Sequence, residues 1–212
     1  MNIIIFGANG RTGRELISQA LKQGHSITAF VREPAKLDIV HENLRIVQGQ
    51  VIDYADIDKV AKSEHYDAAF SALGAKSMFK REPLLIEAMK NIIKAMEENG
   101  ISQLIHISFT GVRKDSEHLG MLYKHMIPLF MKNLLRDHRE KDALLKNSRL
   151  NWTLVQPPIL TSGPFTGNYI HEAEIAKGKS YTLKLSRANL ADFMLKQLQD
   201  PTYHHQEVFV TE

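Results

Sequence analysis

No cysteine occurs anywhere in the 212 residues. Disulfides, iron–sulfur clusters and thiolate chemistry are therefore excluded, and a reducing compartment is expected. Long apolar runs are missing too. Nothing approaches the roughly 18 consecutive apolar residues of a membrane-crossing helix, and the chain opens on a strand-like segment instead of a basic leader with a cleavage site. A cytoplasmic protein without membrane association is the expectation. An excess of one charge is also lacking, since 27 Lys and Arg face 24 Asp and Glu. That balance gives no reason to expect a nucleic-acid partner, although the pI near 9.0 suits an anionic small ligand. Repeats, low-complexity tracts and linkers are absent. With 43% hydrophobic residues, the reading is a single domain over 1–212 with a small C-terminal substrate-side region from about 157.

What the chain does have stands at its start. Asn2-Ile-Ile-Ile-Phe6 is an apolar, β-branched run that leads into Gly7-Ala-Asn9-Gly10-Arg11-Thr12-Gly13. A helix-patterned segment follows, with Leu16, Ile17, Ala20 and Leu21 on one face and Gly24 at its C-cap. Strand, Gly-x-x-Gly-x-x-Gly loop and helix in that order form a dinucleotide-binding start. Gly7 and Gly10 let the backbone turn against a pyrophosphate, Gly13 lets the helix pack close, and the free N–H groups of the helix N-terminus face the anion.

Strand-like runs recur at 2–6, 25–31, 44–48, 66–72, 102–108, 152–156 and 206–210, with helical patterns between most of them. This alternation predicts an α/β, Rossmann-like fold with a doubly wound, mainly parallel sheet. The clearest helix is 82–98, where Leu85, Met89, Ile92, Ile93 and Met96 form one stripe. Between 112 and 148 a Met- and aromatic-rich stretch around Pro128 holds Met121, Tyr123, Met126, Phe130 and Met131. Core packing is its simpler reading; a substrate lid or dimer face is the alternative.

Ligands in open α/β sheets sit beyond the carboxyl ends of the strands, which marks Gly49-Gln50-Val51, Leu73-Gly74 with Lys76 after it, Ser108 and Pro157 as cofactor neighbours. After the second strand, Arg32 stands where an NAD site places an acid, and Lys36 follows a turn later. Two cations there suit a 2′-phosphate, so NADP(H) is expected, with NAD(H) possible. Glu33 between them speaks the other way. Ser108 can orient nicotinamide or substrate through its hydroxyl, or merely cap its strand. The ten histidines offer no metal spacing: His171-Glu172 lacks a second His, and His106 lies within an apolar strand where a hydrogen-bonded core role fits better.

The glycine loop, Val31-Arg32, Leu73-Gly74, Ser108, Asp137-His138 and Asn151-Trp-Thr-Leu-Val-Gln-Pro-Pro158 together resemble an atypical short-chain dehydrogenase/reductase. The likeness covers nearly the whole chain and is nearest to the biliverdin-IXβ reductase and NAD(P)H-flavin reductase group. It implies bound NADPH, Ser108 near the nicotinamide, His138 beside the cofactor, and catalytic work by Ser108. Departures accompany it. Tyr123 is followed four residues later by Ile127 and Lys141 preceded by Asp137, so the Tyr-x-x-x-Lys pair of alcohol dehydrogenases is missing. Ile159 replaces the His that follows the Pro pair in that group, and Gln50 replaces an acid. The reaction expected is hydride transfer to a flavin, quinone or similar planar acceptor by a monomer or homodimer, because such acceptors need no tuned proton donor. The alternative is a non-catalytic, NmrA-like redox sensor.

Overall fold

The computed structural model describes residues 1–75, 77 and 79–212. In chain order the elements are β1 (Asn2–Phe6), α1 (Arg11–Lys22), β2 (Ser26–Val31), β3 (Leu44–Gln48), α2 (Tyr54–Ala61), β4 (Ala68–Ser71), α3 (Pro83–Glu98), β5 (Gln103–Ile107), α4 (Ile127–Phe130), α5 (Lys132–Lys146), β6 (Asn151–Gln156), β7 (Ile159–Thr161), β8 (Ile170–Glu172), β9 (Lys184–Ser186), α6 (Arg187–Lys196) and β10 (Gln206–Thr211). Among the described residues the main sheet has eight strands in the order β3-β2-β1-β4-β5-β6-β10-β8. All its pairings are parallel except β10 with β8. The core 3-2-1-4-5-6 arrangement is the doubly wound nucleotide-binding order, with its switch point between β1 and β4.

Alternation along β1 shows how one strand serves two cores. Ile3 and Ile5 pack under α1 and α6 with Leu16, Ile17, Leu190 and Met194. Ile4 and Phe6 face the other way, toward α2, α3 and α5 with Ile57, Met89, Ile92 and Leu145. Because both faces are covered, the central strands read as unbroken apolar runs. Each fully buried Ile or Leu contributes about 1.5–3 kcal/mol, which outweighs the modest helix propensities involved.

The strands expected from sequence are present, and β7, β8 and β9 are additions. β7 and β9 pair with each other in a small parallel ribbon outside the main sheet. The Met-rich stretch departs from the core-packing expectation. It forms a π-helical turn over Leu122–Met126 running into α4. Tyr123 and Ile127 are buried there, but Met121, Met126, Leu129 and Phe130 are exposed. Only the residues facing Phe109 and Leu135 find a partner surface. No helix among the described residues is long and apolar enough to cross a membrane.

Candidate active site

The carboxyl ends of β1, β2, β4, β5 and β6 meet at one edge of the sheet, and two neighbouring hollows open there. The first, of about 270 Å³, runs from Gly7 and Gly10 past Leu73 to Phe30, Arg32 and Val51. The second, of about 190 Å³, is walled by Ser108, Phe109, Leu134, His138, Pro157 and Leu160. Ala72, Leu73 and Gly74 line both, so the hollows lie side by side across the switch point.

Glycine makes the first hollow possible. Gly7 sits at φ +84°, and a Cβ there would lie 2.7 Å from the Ala72 carbonyl carbon. Gly13 is tighter, because its Cβ would meet the Gly7 carbonyl oxygen at 2.3 Å. This close approach brings the α1 N-terminus up to the loop. Gly10 is the N-cap and offers no side-chain acceptor, and no acid stands in the first turn. The opening N–H groups of α1 are therefore left for an external anion. Arg11 is exposed at this positive helix end, against the dipole. Arg187 stands nearby and holds the Thr161 carbonyl at 2.7 Å. Burial and the neighbouring Arg11 both push the Arg187 guanidinium below its ordinary value. Arg11 and Arg187 make this end electropositive, which suits a diphosphate. Nothing in the sequence pattern had singled out Arg187.

At the other end, the Phe30 ring and Val51 give an apolar wall suited to a base. Gly49 has no room for a side chain, since its Cβ would meet the Phe30 ring at 2.4 Å. Asn9 ties the two loops together by donating to the Glu33 carbonyl at 2.9 Å. Arg14 braces the same loop through Asp38 and the Lys36 carbonyl. Arg32 is exposed at the rim with no ion pair among the described residues. Lys36 instead holds the Glu33 carboxylate at 2.8 Å. An exposed pair of this kind is worth at most about 1 kcal/mol, so Lys36 can exchange it for a phosphate and Glu33 is neutralised meanwhile. Gln50 is not among the residues that line the first hollow. Its backbone N–H is held by Asp56 at 2.9 Å and its side chain is exposed, leaving Gly49 and Val51 to line the groove. Lys76 lies outside the described residues.

Thr12, His138 and Pro157 border the second hollow beside Ser108. Ser108 is neither a free hydroxyl nor a strand cap: its Oγ donates to Asp142 Oδ2 at 2.6 Å. His106 and His138 lie behind it, one fully buried and one nearly so. Burial, with help from the Lys141 ammonium, pushes both imidazoles well below the ordinary histidine value, so they stay neutral. His106 Nδ1 stands 3.2 Å from the Ser71 carbonyl, the core role its strand position suggested. Tyr123 packs on Phe109 with its hydroxyl buried and without a hydrogen-bond partner among the described residues. Burial pushes that phenol up, which makes it a poor acid.

A family model described as NAD(P)H-binding matches residues 7–201. The chain belongs to that NAD(P)H-binding family. It is 27% identical to the uncharacterized protein YwnB of Bacillus subtilis, over 99% of this chain and 98% of that one. A wide-type short-chain dehydrogenase/reductase from Veillonella parvula, solved in complex with NADP, superposes with a TM-score of 0.76 at 22% identity, covering 100% of this chain and 94% of that one. ChuY, an anaerobilin reductase from Escherichia coli O157:H7, does so at 0.77 and 18% identity, covering 100% and 97%. These likenesses establish the Rossmann-type architecture of this NAD(P)H-binding protein.

For the NAD(P)H-binding protein the rim cations carry a direct expectation. Arg32→Ala should weaken NADPH by roughly 1–3 kcal/mol, the scale of a charge-assisted hydrogen bond, and leave NADH nearly unchanged. Fluorescence titration with both nucleotides checks it; equal losses would remove Arg32 from 2′-phosphate recognition.

Proposed function

We propose that this chain is an NAD(P)H-dependent reductase that passes hydride to a flavin, quinone or similar planar acceptor, with NADPH preferred. One observation carries the reading. The hollow bounded by the glycine loop and Arg32 shares its Ala72–Gly74 wall with a second one walled by Phe109, Leu134, Pro157 and Leu160. A dinucleotide bound at the first with its phosphates on α1 would reach the second with its nicotinamide. There the apolar walls suit a flat acceptor stacked against the reduced ring. NADPH supplies the hydride; the protein supplies alignment and a dry wall.

The walls also say what the acceptor is not. A simple ketone has no flat ring system to stack between these walls and develops a localised alkoxide, for which the described hollow presents neither a Tyr–Lys pair nor a charged histidine. A flavin or quinone delocalises the incoming charge over its rings and asks less of its site. The NADP found with the Veillonella relative and the reductase name of ChuY favour the same reading. Steady-state consumption of NADPH with FMN, riboflavin, small quinones and simple ketones, together with reduction of NADP+ by simple alcohols, tests it. Turnover is expected with the first three groups and not with the last two. Tight NADPH binding with no turnover would instead favour a nucleotide sensor.

A further inference from the structure

Behind Ser108 lies a chemistry that nucleotide binding does not use. Asp142 is 4% exposed, on the inner face of α5, with Oδ2 taken by the Ser108 hydroxyl. Its Oδ1 is buried and makes no full hydrogen bond among the described residues, although the Gln156 side-chain amide lies close enough to lower the carboxyl. Ser108, at the end of β5, bonds that carboxyl and also lines the acceptor hollow. We propose that Ser108 and Asp142 form a proton relay in which Ser108 hands a proton to the reduced acceptor and Asp142 restores it. The proposal rests on the reductase reading above and adds to it the source of the proton.

The hydrogen bond is reversible in the required sense. With Asp142 ionised, Ser108 donates to it, as the structure shows. With Asp142 protonated, its own O–H donates to Ser108 Oγ, and the serine proton turns into the hollow. When hydride has reduced the acceptor by two electrons, the Ser108 Oγ–H bond breaks as an acceptor–H bond forms. The Asp142 O–H bond breaks as the Ser108 O–H bond is remade. Asp142 is left ionised and regains one proton from water through Ser108 once the hollow empties. One hydride and one proton reach the acceptor, so charge and atoms balance. Ser108 is the catalytic residue here, and Asp142 acts only through it.

The surroundings favour a carboxyl that can hold a proton near neutrality. Burial raises Asp142 to about 6 despite the Ser108 hydrogen bond, the Lys141 and Lys146 ammoniums on its own helix and the Gln156 amide on β6, all of which lower it. Lys141 is itself 2% exposed, and burial lowers it against the pull of Asp142, Asp137 and Glu82. His138 on α5 and His106 on β5 stay neutral, so they leave the carboxyl opposed by the lysines alone. General-acid help of this kind is worth about 10²–10⁴ in rate.

Two readings test the relay. In ligand-free protein, ¹³C-carboxyl NMR should show one aspartate titrating near 6, absent in Asp142→Asn and shifted upward in Ser108→Ala, where the hydrogen bond to the ionised form is lost. In turnover, kcat with a quinone should fall as pH rises through that value. It should drop about 100-fold and become pH-flat in Asp142→Asn, while NADPH affinity holds. Ser108→Ala should lose the same factor, the double variant little more, and Asp142→Glu should recover part of it. If Asp142→Asn does not fold, Ser108→Ala and Asp142→Glu decide alone. Unchanged kcat and pH profile in folded variants would overturn the relay while leaving the reductase standing. A wild type that binds NADPH and reduces no acceptor would overturn both.

Discussion

Gly10→Val is expected to give a folded protein that has lost nucleotide binding, whereas Gly13→Val is expected not to fold. The two glycines share one loop but meet different obstacles. A Cβ on Gly13 would lie 2.3 Å from the Gly7 carbonyl oxygen and 2.8 Å from Ala8 Cα. Both are backbone atoms at the β1–α1 turn and neither can yield without moving α1 off the sheet. A Cβ on Gly10 meets only the Gly7 oxygen, at 3.1 Å. Its own φ of −70° and ψ of 161° are open to any residue. A few tenths of an ångström of adjustment accommodates the backbone, and the valine methyls then occupy the space above the α1 N–H groups. NADPH affinity should fall by 100-fold or more, about 2.7 kcal/mol. Circular dichroism separates folding from binding, and titration reads the affinity. Gly10→Val that bound NADPH within a few-fold of wild type would place the diphosphate elsewhere.

Stability should drop steeply on mild acidification, and the buried histidines are the reason. His106 and His138 have their pKa values depressed well below 6.5 in the folded chain, by burial first and the Lys141 charge second. In the unfolded chain they titrate normally. As pH falls below that ordinary value the unfolded state gains two protons that the native state refuses, so the stability present above it is lost. Asp142 works the other way, because burial raises it to about 6 and the native state takes up its proton first. Each unmatched proton costs about 1.4 kcal/mol per pH unit, so between about pH 7.5 and about pH 5.5 the net loss should be roughly 2 kcal/mol. Urea midpoints at the two values measure it. His106→Gln, which keeps a donor toward Ser71, and His138→Gln should each remove roughly two-thirds of the dependence, because the opposing Asp142 contribution remains. A wild type equally stable at both values would mean these imidazoles are not buried as described.

Which parts of this molecule were legible in sequence follows from range and burial. β1 to β6 could be read because strands buried on both faces are continuous apolar runs bounded by turn residues. β7, β8 and β9 are three residues each, too short for any period to register. α6 was invisible for the opposite reason: Ala188–Leu195 are all buried, so it has no polar face and no amphipathic stripe to betray it. In the site, Gly7, Gly10, Gly13 and Arg32 were legible because loop chemistry fixes them locally. Asp142 was not, since the partner that gives it meaning, Ser108, is 34 residues away and reached only when α5 packs behind β5. Arg187 meets Arg11 for a similar reason, through the packing of α6 on α1. The Met-rich stretch misled because helical spacing of apolar residues says that a face is apolar without saying what covers it.

The central claim is that the groove delivers hydride from NADPH to a flat acceptor. Single-turnover oxidation of NADPH carrying deuterium at nicotinamide C4, mixed anaerobically with protein and oxidised FMN or a small quinone, tests it most directly. Protein-dependent, saturable oxidation that deuterium slows several-fold is expected, and none with simple ketones. Tight binding of NADPH with no oxidation beyond the protein-free rate would contradict it, as would brisk reduction of ketones.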